Sequence, residues 1–174
     1  SALLSNSCNK GEVEGRENVG GIAGMCDTYT HAPLETKIMN CVNVGDVKST
    51  AGAASTGAIC GYNVSLTSNC YWLYDAGTGK GMKQGIGITS DGAKSENCFA
   101  LDASQMGGKE KYTGALYSSP DKTSYTYVLD ALNAFAYDNY NSNILLSGWK
   151  GGKEDGFPVL TGEKPAKPEG ESEP

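Results

Sequence analysis

Histidine is all but missing: a single residue, His31, serves a chain of 174. Any Ser-His-Asp or Cys-His centre would have to use it. It stands in CDTYTHAPLET, between two repeat copies and beside Pro33, where an exposed loop residue is the plainer expectation. Cys26 is near in sequence, yet nothing positions that pair as nucleophile and base. Basic residues are outnumbered, 14 Lys and Arg against 20 Asp and Glu, for a net charge of −6. The basic face that nucleic-acid backbones require is therefore not expected. No segment approaches the ~20 apolar residues of a membrane span. Phenylalanine is rare, at 3, and amphipathic helical patterns are scarce before residue 124. The C-x2–4-C pairs that zinc favours are absent too.

What is present is glycine, 24 residues, roughly twice ordinary usage. Ten tyrosines accompany it. Glycine with tyrosine and β-branched residues favours short strands joined by tight turns. The length allows one domain with a real core. The chain opens SALLSNSC, inside a repeat and with no signal peptide, so it is expected to be part of something longer.

The repeat is seen by aligning Asn6, Asn40, Asn69 and Asn97, spaced 34, 29 and 28 residues apart. The next position is small, Ser7, Cys41, Cys70 and Cys98. The one after is mostly apolar: Cys8, Val42, Tyr71 and Phe99. In the first two copies a glycine, an acid and a valine follow: Gly11-Glu12-Val13 and Gly45-Asp46-Val47. A second string comes later in each, GGIAGM at 20–25 and GAICGY at 57–62. Further on it gives way to Gly85-Ile86-Gly87-Ile88.

Self-similarity at 20 to 50 residues marks a stacked-repeat architecture. The apolar runs are four to six residues, broken by glycine and asparagine, so strands rather than helices fill each unit. We expect a mainly β protein, a parallel β-helix (solenoid) of about three to four irregular coils with a C-terminal helix cap. Equivalent residues then stand one above another at ~4.8 Å. Asn6, Asn40, Asn69 and Asn97 form an amide ladder, and Cys41, Cys70 and Cys98 fill a narrow place beside it. Strict alternation puts Ile38, Asn40 and Val42 on one side and Met39, Cys41 and Asn43 on the other. Neither set is cleanly apolar, so the interior face stays open. The cysteines are expected buried and reduced, with Cys26–Cys60 the pair best suited to a bridge.

NCVNVGDV with TGAICGYN, and NSCNKGEVEG with NVGGIAGM before it, resemble the GLUG repeat, typically a string like VGGLVG-N…I-NCYNTG-V. The resemblance spans roughly residues 4 to 160. NCYWLYDAG, NCFAL and the final ALNAFAYDN, GW and DGFPVL are similar to the way such arrays finish. The first copy departs from the pattern at Ser7 and Cys8. The resemblance implies a bacterial surface or secreted protein, extracellular or at the cell surface. Such repeats occur in adhesin-like proteins of gut bacteria and beside the catalytic domains of some immunoglobulin-cleaving peptidases. It implies no activity for the repeats themselves.

Residues 124–140, SYTYVLDALNAFAYDNY, carry the best helical pattern. Ser124 is the expected N-cap, and Val128, Leu129, Leu132, Phe135 and Ala136 form the apolar stripe. This helix is expected to cover the last coil. A Gly-Gly turn at 151–152 should lead into an edge segment, Phe157 to Leu160. The domain plan is thus 1–160, with coils over 1–122 and the cap over 123–160. The acidic, Pro-rich stretch 161–174 is expected to be a disordered tail.

DAGTGKGMKQG, 75–85, is not a phosphate loop, because Tyr74 holds the first glycine position and Gly81 follows Lys80. A flexible loop between coils is expected instead. Glu12 and Asp46 are the only acids stacked by the repeat. A solvated turn is the plainer account than a glycosidase pair, and two acids are too few for calcium. Tyr71, Trp72 and Tyr74, followed by Tyr112, Tyr117, Tyr125 and Tyr127, are candidate contacts for a sugar or a protein partner, with packing of the last coil and the cap the plainer account. No catalytic residue, cofactor or metal is expected. The resulting expectation is a non-catalytic, adhesin-like scaffold or ligand-binding stalk with a host or bacterial surface protein or glycan as partner. The alternatives are a carbohydrate-binding or carbohydrate-cleaving β-helix and an accessory domain of a larger secreted peptidase.

Overall fold

The structure, a computed structural model, describes residues 2–27 and 36–170. The expectations placed on His31 and Pro33 lie outside the described residues. The protein is mainly β, with 40% of residues in strands and 11% in helix. It divides into two compact units, Ser1–Asp102 and Ala103–Pro174. The break therefore falls at 102/103, where the sequence pattern placed the end of the repeats at 122/123. Residues 103–122 form the short helix α1, Ala103–Met106, and strand Tyr117–Ser118, which pairs with Ser124–Tyr125 inside the second unit.

In the first unit the repeats lie side by side in parallel. Strand Leu3–Ser5 pairs with Lys37–Met39, which pairs with Leu66–Asp75, which pairs with Lys94–Leu101. Past the asparagine the same order continues: Cys8, Val42, Tyr71 and Phe99 share one row, as the sequence alignment has them. Val13–Gly15 pairs with Val47–Ser49, and Val19–Gly20 with Thr56–Gly57. The glycine-rich strings make a further, three-stranded sheet, in which Ala23, Cys60 and Ile86 share a row. Residues 85–88 thus take the place of the earlier strings.

The repeated asparagines have a backbone reason. Asn6, Asn40, Asn69 and Asn97 all lie in the left-handed region, at φ 48°, 56°, 50° and 52°, as does Asn18 at 51°. Most L-residues lose roughly 1–2 kcal/mol there, and asparagine is the side chain that best tolerates it after glycine. A left-handed residue inside a strand also resets the alternation of faces. Ile38 and Cys41, three apart, both enter the core beside Ile59, Cys60, Cys70 and Trp72. That is why strict alternation found no apolar face.

Glycine is required where neighbouring strands touch. A Cβ on Gly61 would stand 2.3 Å from the Asn18 carbonyl carbon and 2.5 Å from the Val19 nitrogen. Only a residue without a side chain allows that approach.

In the second unit, helix α2 runs Val128–Asn139, not from 124. Ser124 belongs to a strand, Ser124–Tyr125, paired antiparallel with Tyr117–Ser118. Tyr127 holds the N-cap position, with no side-chain cap. The alternation of Ser124, Tyr125, Thr126 and Tyr127 suits a strand, and the Tyr117 and Tyr125 rings stack at 6.4 Å. Helix α2 buries Val128, Ala131, Leu132, Ala134, Phe135 and Ala136. Phe135 meets Tyr117 edge-on, and Asn133 brackets Trp149, accepting from its N–H at 2.8 Å and donating to its carbonyl at 3.1 Å. Trp149–Gly151 pairs antiparallel with Pro158–Leu160, the expected final segment.

The stretch from Thr161 was expected to be disordered. Through Gly170 it forms no strand or helix, yet it is tied to the second unit. Glu163 accepts from the Gly148 N–H at 2.8 Å, Lys164 sits 4.9 Å over the Tyr140 ring, Pro165 is buried, and Lys167 bonds Asp121. Scarcity of large apolar residues did not keep it free, because its lysines and its proline find partners.

Candidate functional site

A column of asparagine amides runs through the first unit. Asn69 Nδ2 donates to Asn40 Oδ1 at 2.7 Å, and Asn40 Nδ2 donates to Asn6 Oδ1 at 2.7 Å. Asn40 and Asn69 are fully buried, so these bonds satisfy groups that water cannot reach. The column stops short of Asn97. That residue shares the left-handed backbone but is exposed, and Asn69 Oδ1 accepts instead from the buried Tyr71 hydroxyl at 2.6 Å.

A second asparagine column escaped the sequence reading. Asn9 Nδ2 donates to Asn43 Oδ1 at 2.8 Å. Each of the two also closes a turn, accepting from Gly11 N–H or Gly45 N–H and donating to the same glycine's carbonyl. The signal was legible as Asn-x-Gly at 9–11 and again at 43–45, the side-chain mimic of a backbone turn.

Beside the first column run Cys41, Cys70 and Cys98. Each thiol donates to the carbonyl two residues before it, at 3.2, 3.2 and 3.3 Å. Cys41 and Cys70 are fully buried and Cys98 is half-buried. Burial pushes the Cys70 thiol well up. The neighbouring Cys70 thiol draws Cys98 down to about 7. All six cysteines are free. The bridge considered for Cys26 and Cys60 is not made. Both are buried, and burial raises both thiols, Cys60 to about 11. Among the described residues no group of three or more His, Cys, Asp or Glu is arranged to hold a metal ion.

Burial removes Tyr71 and Trp72 as ligand contacts, in line with packing as the plainer account, and leaves Tyr74 partly exposed. Tyr71 is 0% and Trp72 7% exposed, and Tyr74 packs half-buried against the same core. A ring enclosed on both faces offers none to a ligand. Trp72 donates to the Lys83 carbonyl at 3.3 Å, and its ring fills the space a Cβ on Gly85 would need.

Residues 75–85 are a hairpin rather than a loose loop. Tyr74 and Asp75 pair antiparallel with Gly81 and Lys80. Asp75 Oδ1 accepts from the Gly77 and Thr78 N–H groups, and Gly79 is left-handed at φ 70°. The glycines that mimic a phosphate loop serve this turn.

Glu12 and Asp46 are engaged structurally. Lys48 Nζ donates to Glu12 at 3.0 Å, and the Gly81 N–H donates to Asp46 at 3.1 Å.

In the second unit Asp138 gathers two hydroxyls. Tyr117 donates to its Oδ2 at 3.0 Å and Ser119 at 2.5 Å. Burial, then the bond to Asp138, holds the Tyr117 phenol well above its ordinary value. Nearby, Tyr125, Thr126, Tyr127, Asp130, Glu169 and Gly170 line a cleft. No helix among the described residues is long and apolar enough to cross a membrane. No family model matches this chain, and neither a curated protein nor a solved structure matches it.

Proposed function

We propose that this chain is a non-catalytic repeat module of a bacterial surface or secreted protein, an adhesin-like scaffold of the GLUG type. In this reading Ser1–Asp102 winds as a short parallel β-helix. The observation that carries it is the buried amide chain from Asn69 through Asn40 to Asn6 across in-register parallel strands. The asparagine row repeats one side-chain type, so each repeat is bonded to the next through the same amide. Such a stack resists shear along its rows and suits a stiff spacer better than a mobile catalytic cleft.

The two acids that would have to cleave a glycan are turned to other work, Glu12 on Lys48 and Asp46 on the Gly81 amide. Their engagement supports the scaffold over the glycosidase reading.

The test is binding of the labelled chain to arrays of extracellular-matrix proteins and glycans, run beside a reducing-end release assay on polysaccharides. Saturable binding without release is the expected result. Release that disappears in Glu12→Gln or Asp46→Asn would overturn the proposal.

A further inference from the structure

We infer that the cleft at the start of α2 binds a saccharide. It has a volume of about 280 Å³, below the ~300–1,000 Å³ of pockets that take drug-sized ligands, and of a size for a single sugar ring. Its lining carries an unsettled polar account. Tyr125 is 1% exposed, yet its hydroxyl has no hydrogen-bond partner among the described residues, and neither has the buried Thr126 Oγ1. Buried polar groups are almost always paired, so unpaired hydroxyls on two neighbouring residues that line one cleft point to an external partner. Two carboxylates share the lining, half-buried Asp130 and exposed Glu169. The neighbouring cation, Lys167, is held by Asp121. Asp130 is raised by burial alone.

The chemistry of the four groups selects the ligand class. Carboxylates only accept hydrogen bonds, whereas hydroxyls both donate and accept. An ammonium ligand brings donors but no acceptor for the Tyr125 and Thr126 protons. A phosphate brings acceptors and meets two negative charges. A sugar hydroxyl brings both, so adjacent hydroxyls of one ring satisfy Asp130 or Glu169 and Tyr125 or Thr126 together. Tyr127, 37% exposed at the same cleft, offers an aromatic surface to the ring's C–H face. The inference deepens the surface-module reading by giving it a ligand class, and it stands on residues of the second unit alone.

The experiment is saturation-transfer NMR with the full chain against neutral mono- and disaccharides, with n-butylamine and inorganic phosphate as competing probes. A saccharide is expected to bind, and Tyr125→Phe and Thr126→Val should each weaken it about three- to tenfold. Asp130→Asn should weaken it about tenfold. Tyr125→Phe removes an unpaired hydroxyl, so its melting temperature should hold or rise, which separates lost binding from lost folding. The inference falls if no saccharide in the panel binds, if binding survives all three substitutions, or if only butylamine or phosphate responds. Glycan binding untouched by these substitutions would remove this site and leave the surface-module reading standing.

Discussion

The Asn69 side chain donates its amide to Asn40 at 2.7 Å while both residues hold left-handed backbone, at φ 50° and 56°. One residue type therefore does two jobs, turning the strand and tying it to the next layer. Substitutions separate them. Asn40→Ala loses both and should cost about 3 kcal/mol, the sum of left-handed strain and of buried amide groups left unpaired. Asn40→Gly relieves the strain and should cost about 1 kcal/mol less. Asn97→Ala, outside the hydrogen-bonded column, should cost only about 1 kcal/mol. Urea unfolding followed by circular dichroism gives the order. Equal losses at Asn40 and Asn97 would mean that the amide column contributes nothing.

Gly61→Ala places a methyl group 2.3 Å from the Asn18 carbonyl carbon and 2.7 Å from the Gly24 oxygen. Backbone on either side leaves it no room. We expect a loss of more than about 3 kcal/mol. Gly114→Ala is the control, because its nearest neighbour is Tyr112 Cε1 at 4.0 Å, and it should stay within about 0.5 kcal/mol of the parent. Comparable midpoints for the two would remove the close-approach argument.

Cys98 combines partial exposure with a thiol drawn down to about 7. The thiolate is the reactive form, so iodoacetamide at pH 7.5 should modify Cys98 well before the enclosed Cys41, Cys60 and Cys70. Peptide mass spectrometry after timed quenching reads the sequence of labelling. First labelling at Cys70 would contradict the burial described above.

Cys60 gives stability an alkaline edge. Its folded-state value, about 11, lies above the 9.0 of an unfolded thiol. The folded state therefore holds the proton more tightly. The contribution is complete below pH 9, where both states are protonated, and is lost as pH rises from 9 to 11. Its size is at most about 3 kcal/mol. Denaturation at stepped pH should show that fall, and Cys60→Ala should flatten it. An identical slope in the variant would assign the fall to other groups.

Asp138→Ala leaves the Tyr117 and Ser119 hydroxyls without their shared acceptor. The expected loss is about 2–3 kcal/mol. Tyrosine fluorescence during thermal unfolding would register it, and a change under about 0.5 kcal/mol would mean that water replaces the carboxylate freely.

Much of the first unit was legible because repetition is written into the chain. Aligning four asparagines put Cys8, Val42, Tyr71 and Phe99 in one row, and the backbone pairs them so. Matching the motifs sufficed there despite unequal spacing, since neighbouring repeats differ in loop length while their strands keep register. The closing hairpin was legible from Gly151-Gly152 and Pro158 for a similar, local reason.

Other features were settled by contacts distant in sequence. The pattern at 124–127 fits the first turn of a helix as well as a strand, and Tyr117 decides for the strand. The hairpin at 75–85 depends on pairing across Tyr74 and Gly81. The sequence left Tyr71 and Trp72 between ligand contact and packing, and burial decides for packing. The candidate sugar cleft was legible only in its tyrosines, Tyr125 and Tyr127, because Asp130 and Glu169 meet only when the chain end returns to α2.

The order of residues by itself determined the period, the parallel rows and the column of Asn6, Asn40 and Asn69, since these follow from spacing and side-chain type. Tertiary structure alone decided which face was buried, where the units part and which polar groups were left unpaired. Those outcomes depend on how a left-handed turn at each asparagine redirects the chain and on which segments then approach one another, and no local pattern records either.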